Sequence, residues 1–192
     1  MPRPINTEKR AELLGEVVRY IERHGLANLS LTPLAEEIGT TKRMLLYYFG
    51  SRENLLARAL AASRPDAHAL FDGVTSTREL RRSARALWEA ITVGEQAGPV
   101  RMLLQLLSLA ATHPEQYGEL AADTVDVMIG PVADAFVRLG TPERQARARA
   151  TLVVSGLRGL CQDRLVTGDA ARTDAAARLL IDAAIHSPPH DA

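Results

Sequence analysis

The sequence predicts an all-α protein of about nine helices. Apolar residues recur with the 3.6-residue period of a helix through most of the 192 residues. Aromatic residues make up only 4% of the chain, and no alternating apolar and polar run is flanked by the turn dipeptides that strands would require. Proline and glycine stand at the ends of the periodic stretches, where they begin or end helices.

Four helices are predicted in the N-terminal third, at residues 7–24, 32–38, 42–49 and 52–63. Thr32 is the expected cap of the second helix, with Pro33 at its first position. Thr41, or Thr40, caps the third helix, and Ser51 caps the fourth. Gly39 lies in the break before the third helix, because a left-handed turn residue is least strained without a Cβ.

Five further helices are predicted at residues 76–96, 99–112, 114–139, 142–167 and 172–186. Pro99, Pro114 and Pro142 stand at three of the starts, and Pro131 should kink the helix that contains it. The tail "SPPHDA" is expected to be disordered.

Composition and charge narrow the class of protein. Hydrophobic residues make up 46% and charged residues 24%, as in soluble globular domains. Neither a membrane-spanning run nor a secretory signal is recognisable, and the single Cys161 cannot form an internal disulfide, so we expect a cytoplasmic protein. Residues 1–64 hold ten basic against seven acidic residues, and this excess indicates either a polyanion-binding head or an ordinary solvated patch.

The stretch "EEIGTTKRMLLYYFGSREN" carries the pattern of a helix-turn-helix. In this motif the N-terminal end of the second helix enters the major groove of DNA. Thr41, Lys42 and Arg43 come first in that helix, where they can meet bases or phosphates, and Tyr47 and Tyr48 come last. Each cation can equally be a solvated side chain, and each tyrosine can equally pack inward.

Met44, Leu45 and Phe49 are expected to anchor the same helix to the core. Arg52 follows in the next helix, beside the same stretch of phosphate. Arg3 in an N-terminal arm can reach the neighbouring groove, although a disordered tail is the alternative.

The segment "LTPLAEEIGTTKRMLLYYFGSRENLL", from Leu31 to Leu56, resembles the DNA-binding signature of the tetracycline-repressor (TetR) family. The family often has a tyrosine three residues before the phenylalanine, where this chain has Leu46, and a lysine where it has Arg52. The DNA-binding candidates are therefore Thr32, Thr41, Lys42, Arg43, Tyr47, Tyr48 and Arg52.

The resemblance implies two domains, a helix-turn-helix DNA-binding domain at residues 1–63 and an effector-binding and dimerisation domain at residues 64–192. It also implies a homodimer formed through the helices near 142–167 and 172–186. The apolar stripes of these two helices allow a dimer interface but also fit an intramolecular core. Two reading helices about one DNA turn apart would recognise a palindromic operator in double-stranded DNA.

The resemblance further implies an effector pocket among the central helices. The candidate contacts are the larger residues there, Trp88, Met102, Leu106, Tyr117, Met128 and Phe136, each of which can instead be plain core. The leading hypothesis is thus a repressor released by a small, mainly apolar effector. A sensor or carrier with weakened DNA binding is the alternative. No enzymatic motif, metal-ligand cluster or cofactor fingerprint is recognised, so neither catalysis nor a cofactor is expected.

Overall fold

The computed structural model describes residues 6–26, 29–63, 66–93 and 97–186, and every regular element within these ranges is a helix. The all-α fold class is therefore confirmed. The helices are α1 (Thr7–His24), α2 (Leu31–Glu37), α3 (Lys42–Phe49), α4 (Arg52–Ser63), α5 (Ala67–Phe71), α6 (Thr77–Thr92), α7 (Ala97–Thr112), α8 (Pro114–Arg138), α9 (Glu143–Thr167) and α10 (Ala170–His186). None of these helices combines the length and the apolar character needed to cross a bilayer.

Side-chain caps explain where several helices begin. The Asn6 side chain accepts a hydrogen bond from the Lys9 amide, and the Ser51 hydroxyl accepts one from the Asn54 amide. At α6 the Ser76 hydroxyl accepts from the Glu79 amide, and the Glu79 carboxylate reaches back to Thr75. These hydrogen bonds from Thr75 also hold the pKa of Glu79 below its ordinary value.

Several predicted boundaries are corrected by the structure. Helix α2 begins at Leu31 with Ser30 as its N-cap, so Thr32 lies within the first turn and is not the cap. Helix α5, capped by the Asp66 side chain, has too few residues to show a period and was not predicted. Helix α8 continues through Pro131. Arg3, Pro65 and the tail at 187–192 lie outside the described residues.

The helices form two compact units. The first comprises Met1–Arg64 and Gly98–Ala121, and the second comprises Pro65–Ala97 and Ala122–Ala192. Residues 98–121, which the sequence pattern assigns to the second domain, are thus grouped with the first unit. The functions predicted for 1–63 and 64–192 stay predictions.

In the first unit, α1 packs on α4, while α3 contacts both α2 and α4. Their apolar faces share one core, to which α7 and the start of α8 add Met102, Leu106 and Tyr117. The Gln105 side chain on α7 accepts a hydrogen bond of 2.7 Å from the Leu26 amide just beyond α1. The shared core holds α2 and α3 in place, because helices of seven and eight residues are too short to be stable alone.

In the second unit, α10 packs along α9 and against α6, and α6 also contacts α5 and α9. The Trp88 indole N–H donates to Asp174 at 2.8 Å, and Arg164 donates to the same carboxylate at 2.6 Å. These contacts join α6, α9 and α10. The thiol of Cys161 is buried and donates to the Ile91 carbonyl at 3.5 Å, so it serves as a core residue.

Candidate nucleic-acid interface

The turn between α2 and α3 is a complete Schellman motif. The Thr40 amide donates to the Ala35 carbonyl at 2.8 Å, and the Gly39 amide donates to the Glu36 carbonyl at 3.3 Å. Gly39 has φ of 69°, a left-handed conformation that strains any residue with a Cβ. The Thr41 hydroxyl then accepts from the Met44 amide and caps α3, as predicted. The turn therefore fixes the direction in which α3 leaves α2.

Helix α3 is anchored by one apolar face. Leu45 and Phe49, with 1% and 4% of their surfaces exposed, lie in the core of the first unit. Met44 was predicted to join them, but 38% of its surface is exposed. It lies one residue before Leu45, about 100° away around the helix. The opposite face of α3 is consequently free of core contacts.

The N-terminal end of α3 presents its cations to solvent. Thr41, Lys42 and Arg43 are all exposed, and neither cation has an ion pair with another described residue. Of the two acidic residues on the preceding helix, Glu37 is paired with Arg23 at 2.7 Å and with His24 at 3.0 Å, and Glu36 forms no ion pair with another described residue. The positive charge at this end is therefore available to an anionic partner and adds to the helix dipole.

The structure separates the roles of the two neighbouring tyrosines. Tyr48 is half-buried and packs against the core, whereas Tyr47 is 47% exposed. Their rings meet edge to face with centroids 5.1 Å apart, so Tyr48 supports the orientation of Tyr47. Thr32, in the first turn of α2, is also exposed.

Arg52 is engaged inside the first unit. Its Nε donates to the Leu29 carbonyl at 3.1 Å, and its Nη1 donates to the Tyr117 hydroxyl at 3.1 Å. The guanidinium also lies over the Tyr117 ring, 5.8 Å from its centroid. No local pattern in the sequence predicts this contact, because the two residues are 65 positions apart. A phosphate contact by Arg52 stays a prediction.

Comparison with known proteins identifies this arrangement. Residues 14–59, which include α2, the turn and α3, match the family model described as "Bacterial regulatory proteins, tetR family". This segment therefore resembles the DNA-binding segment of the TetR family. The resemblance seen in the sequence between Leu31 and Leu56 is thereby confirmed.

Solved structures extend the likeness in fold to nearly the whole chain. A TetR-family protein from Rhodococcus sp. is 24% identical, with a TM-score of 0.71 over 93% of this chain and 97% of that one. A TetR transcriptional regulator from Legionella pneumophila is 16% identical, with a TM-score of 0.69 over 95% and 98%. The multidrug binding protein EbrR, solved with proflavin, is 21% identical, with a TM-score of 0.61 over 91% and 98%. No curated protein is significantly similar to the chain in sequence.

The six effector candidates implied by the TetR resemblance are divided between the two units. Three of them, Met102, Leu106 and Tyr117, are buried in the core of the first unit. The other three are buried in the second unit: Trp88, Met128 and Phe136. Trp88 and Tyr117 already have internal hydrogen-bond partners, and their contact with an effector stays a prediction.

The two helices expected to dimerise in a TetR-like protein have both a core face and an open face. The first part of the apolar stripe predicted on α9 packs inside the second unit, where Ala146, Ala150, Val153 and Leu157 are buried. The open faces of α9 and α10 carry exposed Leu152, Leu165, Val166 and Leu179 instead. An added Cβ at Gly156 would meet the Leu180 side chain of α10, so that glycine lies where α9 and α10 of one chain pack together.

Proposed function

We propose that this protein is a transcriptional regulator that binds a palindromic operator as a homodimer and acts as a repressor released by a small, mainly apolar effector. The observation that carries the proposal is the exposed N-terminal end of α3. It presents Thr41, Lys42 and Arg43 to solvent, while Leu45 and Phe49 fix the helix to the core.

Helix α3 is proposed to lie in the major groove. Lys42 and Arg43 would then face base edges or phosphates, and a bidentate contact from arginine to guanine would provide sequence selectivity. The hydroxyls of Thr32, Thr41 and Tyr47 would donate to backbone phosphate oxygens. Tyr48 would contribute mainly by supporting Tyr47, because it packs inward.

A dimer is proposed because one eight-residue helix contacts too few base pairs to define an operator. The exposed apolar residues on α9 and α10 support an interface there, since Leu179 is 73% exposed and Val166 is 80% exposed. In a two-fold dimer each of these side chains is buried twice, once on each protomer. The operator should accordingly be a palindrome.

A small-molecule effector is proposed because a protein with a similar fold binds small molecules. That protein, EbrR, is a multidrug binding protein solved with proflavin. The candidates for contact with an effector in this chain stay Met102, Leu106 and Tyr117 in the first unit and Trp88, Met128 and Phe136 in the second. An effector that binds the DNA-free conformation more tightly than the DNA-bound one would release the operator.

A gel-shift titration tests the proposal. Duplex DNA from the region flanking the protein's own gene should give a specific shift, whereas random DNA of equal length should bind more weakly. Arg43→Ala should lose about 1–3 kcal/mol of binding free energy on the specific site and less on random DNA. The matched control is Arg101→Ala, which removes an exposed arginine on α7 of the same unit and should leave both affinities unchanged.

Absence of any specific shift at low salt, with a folded protein, would refute DNA-dependent regulation at that site. An equal loss on specific and random DNA in Arg43→Ala would assign Arg43 to the phosphate backbone. Release of the DNA from a preformed complex by apolar compounds such as proflavin would support the proposed effector. If the same compounds release the DNA equally well from Trp88→Phe and Tyr117→Phe, the indole N–H and the phenol hydroxyl do not contact the effector.

A further inference from the structure

The second unit contains an arginine-lined cavity that the proposed function does not use. Its volume is about 730 Å³, and one wall is helix α6. Arg78, Arg81, Arg82 and Arg85 of that helix all line it. Spacings of three and four residues place these side chains on neighbouring positions of the helix surface.

One of the four arginines is fixed in place by α10. The Arg81 Nε donates to the Asp182 carboxylate at 2.7 Å, and its Nη2 donates to His186 Nε2 at 2.9 Å. Because arginine has no acceptor, His186 Nε2 must be unprotonated in this contact, and Nδ1–H donates to the Asp182 carbonyl at 2.9 Å. The charge of Arg81 is thus matched, and a fixed polar wall closes one side of the cavity.

The other three arginines have no matching acid. Arg78, Arg82 and Arg85 are exposed, and none forms an ion pair within the described part of the chain. Glu89 is the remaining acidic residue of the lining, one turn beyond Arg85. Four guanidinium groups and two carboxylates line the cavity, so arginines outnumber acidic residues by two.

This arrangement is unfavourable without a partner. Like charges three and four residues apart repel each other on a helix surface. Arg78 also lies in the first turn of α6, which begins at Thr77, and the positive end of the helix dipole disfavours a cation there. A bound anion would relieve the repulsion among Arg78, Arg82 and Arg85, for which no ion pair with another described residue is found.

We propose that this cavity binds a small molecule bearing two or more phosphate groups. Guanidinium groups present paired N–H donors that match phosphate oxygens, and three of them are free to turn toward a ligand. The cavity has the volume of a small-molecule site, and it is concave, whereas a nucleic-acid backbone needs an extended charged track. Inorganic and organic phosphates share this chemistry, and the probes below distinguish them.

Isothermal titration calorimetry on the full chain tests the site, with inorganic pyrophosphate, tripolyphosphate and ADP as separate probes at low ionic strength without divalent cations. We expect saturable binding of one probe per chain, weakening as salt is added. A higher affinity for ADP than for pyrophosphate would indicate that the organic part also lies in the cavity, whereas equal affinities would indicate recognition of phosphate alone.

Substitutions then locate the site. Arg82→Gln and Arg85→Gln should each weaken binding about tenfold, because each removes one charge-assisted contact. Arg82→Lys should lose less, since it keeps the charge. The matched control is Arg144→Gln on α9, which removes an exposed arginine of the same unit away from this cavity and should leave affinity unchanged. Circular dichroism checks that each variant is folded.

Failure of all three probes to bind the folded protein would overturn the proposal. Binding that is equally strong in Arg82→Gln and in the unchanged protein would also overturn it, because the anion would then lie elsewhere. If duplex DNA alone bound through Arg82 and Arg85, the cluster would be a nucleic-acid contact and the small-molecule site would be refuted. Each of these outcomes is independent of whether α3 binds an operator.

Discussion

Replacement of Arg52 by alanine should destabilise the first unit. The guanidinium makes two hydrogen bonds of 3.1 Å, to the Leu29 carbonyl and the Tyr117 hydroxyl, and it lies over the Tyr117 ring. A hydrogen bond from a charged donor contributes roughly 1.5–3 kcal/mol and an exposed cation–π contact roughly 0.5–1 kcal/mol. The guanidinium is only partly buried and its contacts are not additive, so we expect Arg52→Ala to cost about 2–3 kcal/mol.

Urea unfolding followed by far-ultraviolet circular dichroism measures this change. Protein concentration must be held fixed, because the stability of a dimer depends on it. Arg58→Ala is the matched control, since Arg58 is an exposed arginine on the same helix and its loss should change stability by less than about 0.5 kcal/mol. A double-mutant cycle with Tyr117→Phe should give a coupling energy of about 1 kcal/mol.

The opposite result would refute this reasoning. If Arg52 contacts DNA phosphate instead, Arg52→Ala should leave stability within about 0.5 kcal/mol of the unchanged protein and should show no coupling to Tyr117. The slope of log affinity for DNA against log salt should then fall by about one unit on every sequence. A large stability loss with an unchanged slope would assign Arg52 to the internal contact alone.

Two further predictions concern the second unit. Leu179→Arg should convert a dimer into a monomer in sedimentation velocity, because burial of a leucine contributes about 1.5–3 kcal/mol per protomer, whereas Val93→Arg, at another exposed apolar position, should not. The Trp88 indole, together with Arg164, holds the pKa of Asp174 below its ordinary value, so this contact should stabilise the fold at neutral pH and be lost as pH falls through that lowered pKa. The stability difference from Asp174→Asn, followed by Trp88 fluorescence, should shrink in acid, and a difference independent of pH would contradict this.

The turn before α3, the N-cap of α3 and its buried face were predicted from the sequence, because each depends on residues close together in the chain. Gly39 occupies the left-handed turn position and Thr41 caps α3, because both depend on residues within five positions. Leu45 and Phe49 are buried as their spacing indicates. These few residues were sufficient to predict the helix-turn-helix and the exposed end of α3.

Contacts between distant residues could not be predicted in the same way. The hydrogen bond between Arg52 and Tyr117 depends on how α8 packs in the first unit, and periodicity does not specify this. The apolar stripe of α9 that contains Ala150 and Leu157 could not be assigned to a partner from the sequence either. An apolar face has the same period whether it packs within one chain or against a second copy. The structure adds what the period leaves out, because it shows that Leu152, Leu165, Val166 and Leu179 are exposed and not part of the intramolecular core.

The sequence assigned Arg52 and Tyr117 to different sites, a DNA phosphate and an effector pocket, yet the structure joins them by one hydrogen bond. If Arg52 contacts DNA and Tyr117 contacts an effector, this bond would link the two ligands of the proposed regulator. An effector that took the Tyr117 hydroxyl would free Arg52 Nη1 while its Nε stayed on Leu29. Because coupling between two ligands is reciprocal, Tyr117→Phe should then reduce the effect of DNA on effector affinity by the same factor as the effect of effector on DNA affinity. An effect of effector on DNA affinity that is as large in Tyr117→Phe as in the unchanged protein, measured by calorimetry, would show that the two sites communicate through residues other than this pair.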